Sequence, residues 1–79
     1  MVNLRVKLTF PEDLVRTAVL AQIVRRFDVD PNIRRAAVEE HSGWIICELD
    51  GEAGDVEAAM AYLRGEGVGV DLLGDVLES

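Results

Sequence analysis

The stretch RRFDVDPNI, residues 25–33, turns the chain from one hydrophobic period to another. Upstream of it, Leu14, Val15, Ala18, Val19, Ala21, Ile23, Val24 and Phe27 recur at helical spacing, with Leu20 in their middle. Positions 20, 23, 24 and 27 line one stripe, and the apolar surface is wider than one sheet contact needs, so part of it is expected to face a partner. Asp28 and Asp30 are poor helix-interior residues, and Pro31 pushes Asp30 out of the helical region. The helix must therefore stop near Phe27 or Asp28. Downstream, IRRAAVEEH reads as a strand of weak alternation, with Ala36, Val38 and Glu40 on one face and Arg35, Ala37 and Glu39 on the other. Such mixed polarity suits an edge strand, where charges blunt pairing with other chains.

The flanking sequence completes the pattern. In VNLRVKLTF, Val2, Leu4, Val6, Leu8 and Phe10 alternate with Asn3, Arg5, Lys7 and Thr9, the period of a strand with one buried face. Pro11 ends that strand, and Pro11-Glu12-Asp13 suits a first helical turn, with Arg25 and Arg26 complementing the dipole at the other end. After the tight turn His41-Ser42-Gly43, WIICELDG gives a third strand with Ile45, Cys47 and Leu49 on one face and Trp44, Ile46 and Glu48 on the other. A second helix follows, with Val56, Ala59, Met60 and Leu63 at helical intervals and Gly67 as its left-handed cap. Val68, Val70 and Leu72 alternate with Gly69 and Asp71 in a fourth strand. The order βαββαβ is the ferredoxin-like α+β arrangement, a four-stranded antiparallel sheet with both helices on one face. Strands one and three, the most apolar, are expected in its centre.

The open face of that sheet should carry Arg5, Lys7, Thr9, Arg35, Ala37, Glu39, Trp44, Ile46, Glu48, Asp71 and Leu73, most of them polar as solvent exposure requires. Trp44, Ile46 and Leu73 are the apolar exceptions, and Trp44 with Ile46 is the candidate interface, because a core this small commonly gains stability by association; the alternative is that isolated apolar residues are ordinary on a surface and Trp44 simply covers the hairpin end.

Composition bounds the function. The 79 residues form a single domain, 1–79, that buries about 60 to 65% of the surface its unfolded form exposes. Net charge is −7, which repels phosphate backbones and makes nucleic acid and anionic membranes poor partners. No signal peptide or spanning apolar run is visible, and Cys47 is alone, so a cytoplasmic protein without an intrachain disulfide is expected. Nucleophilic catalysis requires a nucleophile, a base and an orienting group; the lone His41 sits in a turn and the lone Cys47 points into the core. The Cys and His set that zinc or an iron–sulfur cluster requires is missing, as is a phosphate loop. The chain reads as a non-enzyme without metal or cofactor. One aromatic on the central strands, against an acidic charge, also speaks against RNA binding of the RRM type.

The stretches LTFPE, VRRFDVDPNI, ICELDG and AMAYLRGEGVGVDLLG are similar to those of the NIL domain, best known as the C-terminal regulatory module on the ATPase subunit of bacterial methionine-import ABC transporters. The resemblance implies a ferredoxin-like fold, pairing of two domains, and binding of methionine near the pairing interface. It also implies that Asn32 and Ile33, which match the family's asparagine-isoleucine pair, contact the ligand. An asparagine amide both donates and accepts, and can hold the polar end of an amino acid while apolar residues touch a thioether. Asn32 is equally readable as a turn residue satisfying local backbone groups. The hairpin turn EEHSGW is shorter than the glycine-containing loop expected in the transporter version, and the sequence carries neither an ATPase nor a cysteine-rich ferredoxin segment, so the domain is expected to stand free. Two roles follow: a small-ligand-binding regulatory module acting on an unknown protein partner as a homodimer, or a homodimerising interaction module without ligand.

Overall fold

The computed structural model describes residues 1–11, 16–38 and 42–75. Its elements run β1 (Val2–Pro11), α1 (Arg16–Phe27), β2 (Asp30–Val38), β3 (Ser42–Gly51), α2 (Ala53–Gly65) and β4 (Gly69–Asp75). The strands form one antiparallel sheet in the order β2-β3-β1-β4, so the two most apolar strands lie in the centre as the alternation predicts. The expected start of the first helix at residues 12–15 and the hairpin positions Glu39, Glu40 and His41 lie outside the described residues.

The core is made by one face of the sheet and both helices. Val6, Leu8 and Phe10 of β1 and Ile45, Cys47 and Leu49 of β3 are buried together with Val19 and Ile23 of α1 and Val56, Ala59, Met60 and Leu63 of α2. Since opposite residues of an antiparallel pair share a face, the register Val6↔Cys47, Leu8↔Ile45 and Leu4↔Leu49 is what gathers these side chains. The stripe of α1 differs from the expected one. Val19 and Ile23 are buried, Leu20 and Phe27 are partly buried, and Val24 is 48% exposed. A step of one residue turns a side chain by about 100° around a helix, enough to carry position 24 out of the packed face that holds 19 and 23. At the end of α1, Phe27 packs on Tyr62 of α2 with ring centroids 5.6 Å apart, and the Arg26 guanidinium lies 5.4 Å from the Tyr62 ring centroid.

The stretch 25–33 ends the helix by a sharper device than its composition alone implies. Asp28 takes a left-handed backbone conformation with φ 53°, and the turn it makes delivers Val29 into the core, where it is 2% exposed. β2 then begins at Asp30, earlier than the apolar pattern places it, and includes Pro31 and Asn32. Proline is tolerated there because β2 is an edge strand. Gly51, at the end of β3, is the close neighbour of this turn: a Cβ at that position would stand 3.3 Å from the Asp28 carbonyl oxygen and 3.4 Å from Val29 Cγ2. The second helix closes as its sequence predicts, with Gly67 at φ 92°, its N–H donating to the Arg64 carbonyl at 3.1 Å and the Val68 N–H to the Leu63 carbonyl at 3.0 Å. That is the Schellman pairing, in which the buried Val68 follows the cap back onto the core.

The stretch thus anchors as well as turns. Val29→Ala is expected to lower unfolding free energy by about 2 kcal/mol, whereas Val24→Ala should stay within about 0.5 kcal/mol of the parent chain; urea denaturation of the two variants checks the contrast.

Candidate functional site

The open face of the sheet is where the polar chemistry collects, and its organiser is Glu48. The sequence places Glu48 among solvent-exposed residues; in the structure it is 3% exposed, a correction to that expectation. The register sets Glu48 between Arg5 on β1 and Asn32 on β2. Arg5 Nη2 donates to Glu48 Oε2 at 2.9 Å, while Arg34 donates to it twice, from Nε to Oε2 and from Nη2 to Oε1, each at 3.0 Å. The two guanidiniums cover the carboxylate. Alternation alone hides this, because Arg34 is the extra residue of a β-bulge between Ile33 and Arg35 and so joins the open face next to Arg35. Hydrogen bonds from Arg34 and then Arg5 hold the Glu48 carboxyl down at about 2, outweighing the opposing effect of burial. The same hydrogen bond, with the Glu48 charge, raises Arg34.

A second polar cluster lies one step along the strands. Asp50 accepts from Asn32 Nδ2 at 2.7 Å through Oδ2 and from Asn3 Nδ2 through Oδ1. Asn32 is therefore an exposed strand residue rather than a turn residue, and its amide is oriented by Asp50. Ile33, opposite Cys47, belongs to the other face and is 54% exposed beside the edge. The predicted ligand pair thus straddles β2, and one molecule touches both only along the outer edge of that strand.

Trp44 and Ile46, the predicted interface pair, do share the open face and are both half-buried. Lys7 Nζ lies 5.2 Å from the Trp44 ring centroid, a cation–π contact between diagonal neighbours. Ile46 belongs instead to an open recess of about 530 Å³ that it lines with Arg5, Arg34, Arg35 and Leu73. Beneath the sheet Cys47 is fully buried, and burial, aided by the Glu48 charge, pushes its thiol up to about 11. Among the described residues no group of three or more His, Cys, Asp or Glu side chains is placed to hold a metal ion, and no helix is long and apolar enough to cross a membrane.

The family described as NIL domain matches residues 4–71 of the chain. Among curated proteins, the methionine import ATP-binding protein MetN of Cupriavidus necator is 39% identical over 69 residues, covering 82% of this chain and 20% of that protein. The MetN of Vibrio cholerae is 34% identical over 76 residues, covering 91% of this chain and 22% of that protein. The chain thus spans about a fifth of the length of the curated relatives it matches. Among solved structures, the C-terminal domain of an ABC transporter ATP-binding protein from Enterococcus faecalis superposes with a TM-score of 0.79 at 23% identity, over 90% of this chain and 83% of that one. That likeness shows the ferredoxin-like fold.

Two measurements test the electrostatics. Glu48 titrates at about 2 in the folded chain against an ordinary 4.5, so its pairing favours the folded state fully above 4.5 and loses that effect as pH falls toward 2. Glu48→Gln should be less stable than the parent at neutral pH and should flatten the acid limb of the stability profile, as urea titrations at stepped pH would read. The Cys47 thiol should stay silent to an aromatic disulfide reagent at neutral pH and react once denaturant unfolds the chain.

Proposed function

Because the chain belongs to the NIL domain family, we propose that it is a non-catalytic regulatory module which binds methionine or a related sulfur amino acid where two copies meet. The observation that carries this reading is the state of Asn32. It is an exposed polar side chain on an edge strand, fixed by one hydrogen bond to Asp50 and left with a carbonyl oxygen and a second N–H for a ligand. Ile33, exposed on the far side of the same edge, supplies the apolar contact a thioether needs. The names of the relatives, methionine import ATP-binding proteins, favour methionine as the first ligand to try. The part of those proteins that matches is the NIL domain rather than the ATPase domain, which accords with a regulatory role in place of a catalytic one. On this reading the module works in the cytoplasm, with no metal or cofactor, and signals its ligand to a protein partner.

A second reading is a homodimerising interaction module without ligand. It is favoured by apolar side chains outside the core: Leu72 and Leu73 on the edge strand β4 are 56% and 50% exposed, and Trp44 and Ile46 are only half-buried.

Isothermal titration calorimetry with L-methionine, homocysteine, cysteine and S-adenosylmethionine separates the two. Saturable binding of one of them, abolished by Asn32→Ala in a chain that still folds, is the expected result. Absence of heat with all four from a folded dimer would move the assignment to the interaction module, and unchanged affinity in the variant would remove Asn32 from the site.

A further inference from the structure

We propose that the recess between Arg5, Arg34, Arg35, Ile46 and Leu73 is a separate binding site for a small organic carboxylate with a short aliphatic tail. It does not include Asn32 and does not rest on methionine sensing.

Three independent features converge there. The first is backbone irregularity. The sheet has a register shift on each edge strand, between Ile33 and Arg35 on β2 and opposite Arg5/Val6 on β4, and the residues these shifts insert are Arg34 and Leu73. Both inserted residues line the recess. A bulge puts two successive side chains on one face, which is how Arg34 and Arg35 come to stand side by side, and such re-aiming is common next to binding sites. On β4 the shift is accompanied by Gly74 at φ 125°, a conformation that glycine adopts readily.

The second is charge. Three guanidiniums stand against the carboxylate of Glu48, with the Asp50 charge also reaching Arg34, which leaves a net positive spot on a chain whose net charge is −7. Glu48 does not exhaust the donors. Of the five N–H groups on a guanidinium, Arg34 gives two hydrogen bonds to Glu48 and Arg5 gives one, and no bond among the described residues occupies Arg35. Glu48 instead holds Arg5 and Arg34 in place, so that an incoming anion meets guanidiniums whose geometry is already fixed.

The third is the apolar lining. Ile46 and Leu73 lie among these arginines, and Leu73 is 50% exposed. A bare inorganic anion makes no use of them; an aliphatic tail buries them. The volume, about 530 Å³, lies within the range of about 300 to 1,000 Å³ typical of small-molecule sites.

The test is a ¹H–¹⁵N NMR titration of the 79-residue chain with 4-methylvalerate, with its neutral amide, and with inorganic phosphate. Saturable shifts at Arg34, Arg35, Ile46 and Leu73 are expected with the carboxylate, with the amide and phosphate each binding at least about tenfold more weakly. Arg35→Gln should weaken the carboxylate by about tenfold. Leu73→Ser should narrow its advantage over phosphate, and because both side chains are exposed these variants should retain the parent's spectrum elsewhere. Absence of saturable shifts, equal binding of amide or phosphate, shifts centred on Asn32 and Ile33, or an unchanged affinity in Arg35→Gln would overturn the proposal. Methionine binding at the β2 edge can succeed or fail without altering any of these outcomes.

Discussion

The pairing of β1 with β3 is the constraint on which the rest of the molecule depends. It runs without a break from Val2↔Gly51 to Pro11↔Ser42, and a slip of one residue would exchange the two faces of the sheet along its whole length. With the register as it stands, Leu4, Val6, Leu8 and Phe10 meet Leu49, Cys47, Ile45 and Gly43 on the helix side. On the other side Asn3, Arg5, Lys7 and Thr9 meet Asp50, Glu48, Ile46 and Trp44. The first set supplies the apolar floor on which α1 and α2 close. The second set is a row of charge, amide and aromatic pairs whose alignment a slip would destroy, so both faces specify one register.

Glu48 shows what this register costs and how the cost is met. A carboxylate on a central strand, flanked by β1 and β2, loses access to water and must be paired to stay ionised. Arg5 is supplied by direct cross-strand opposition, but one monodentate donor leaves the other oxygen unserved. The bulge in β2 supplies Arg34, which reaches both oxygens. The irregularity in the edge strand is therefore the physical answer to a charge buried in the centre, and it leaves Arg35 beside Arg34 as a consequence.

Most of the fold is visible in the chain because it rests on periodicity and punctuation. The alternation in residues 2–10, the apolar 45/47/49 set, Pro31 and Gly67 each have one structural meaning, and the strand order follows from chain topology. What alternation does not reveal is where a strand breaks its own period. The insertion of Arg34 into the open face, the burial of Glu48 and the return of Val29 to the core depend on the β2 bulge and on one left-handed residue, Asp28, whereas Leu73, which alternation already puts on the open face, reaches it through a bulge. A signal for Glu48 does exist in the sequence, since Arg5 on β1 and Arg34 and Arg35 on β2 flank the strand that carries it, but only the register joins them. The pair Asn32-Ile33 is legible as a motif, yet its geometry is not: the two side chains sit on opposite faces of an edge strand.

That separation leaves the sheet with two distinct polar neighbourhoods along β2. The outer edge of β2 presents an amide steered by the Asp50 carboxylate and an exposed isoleucine. The recess two residues further along the same strand is cationic and is organised by Glu48 rather than Asp50. Each carboxylate of β3, two positions apart, thus fixes the side chains of its own neighbourhood: Asp50 orients amides and Glu48 orients guanidiniums.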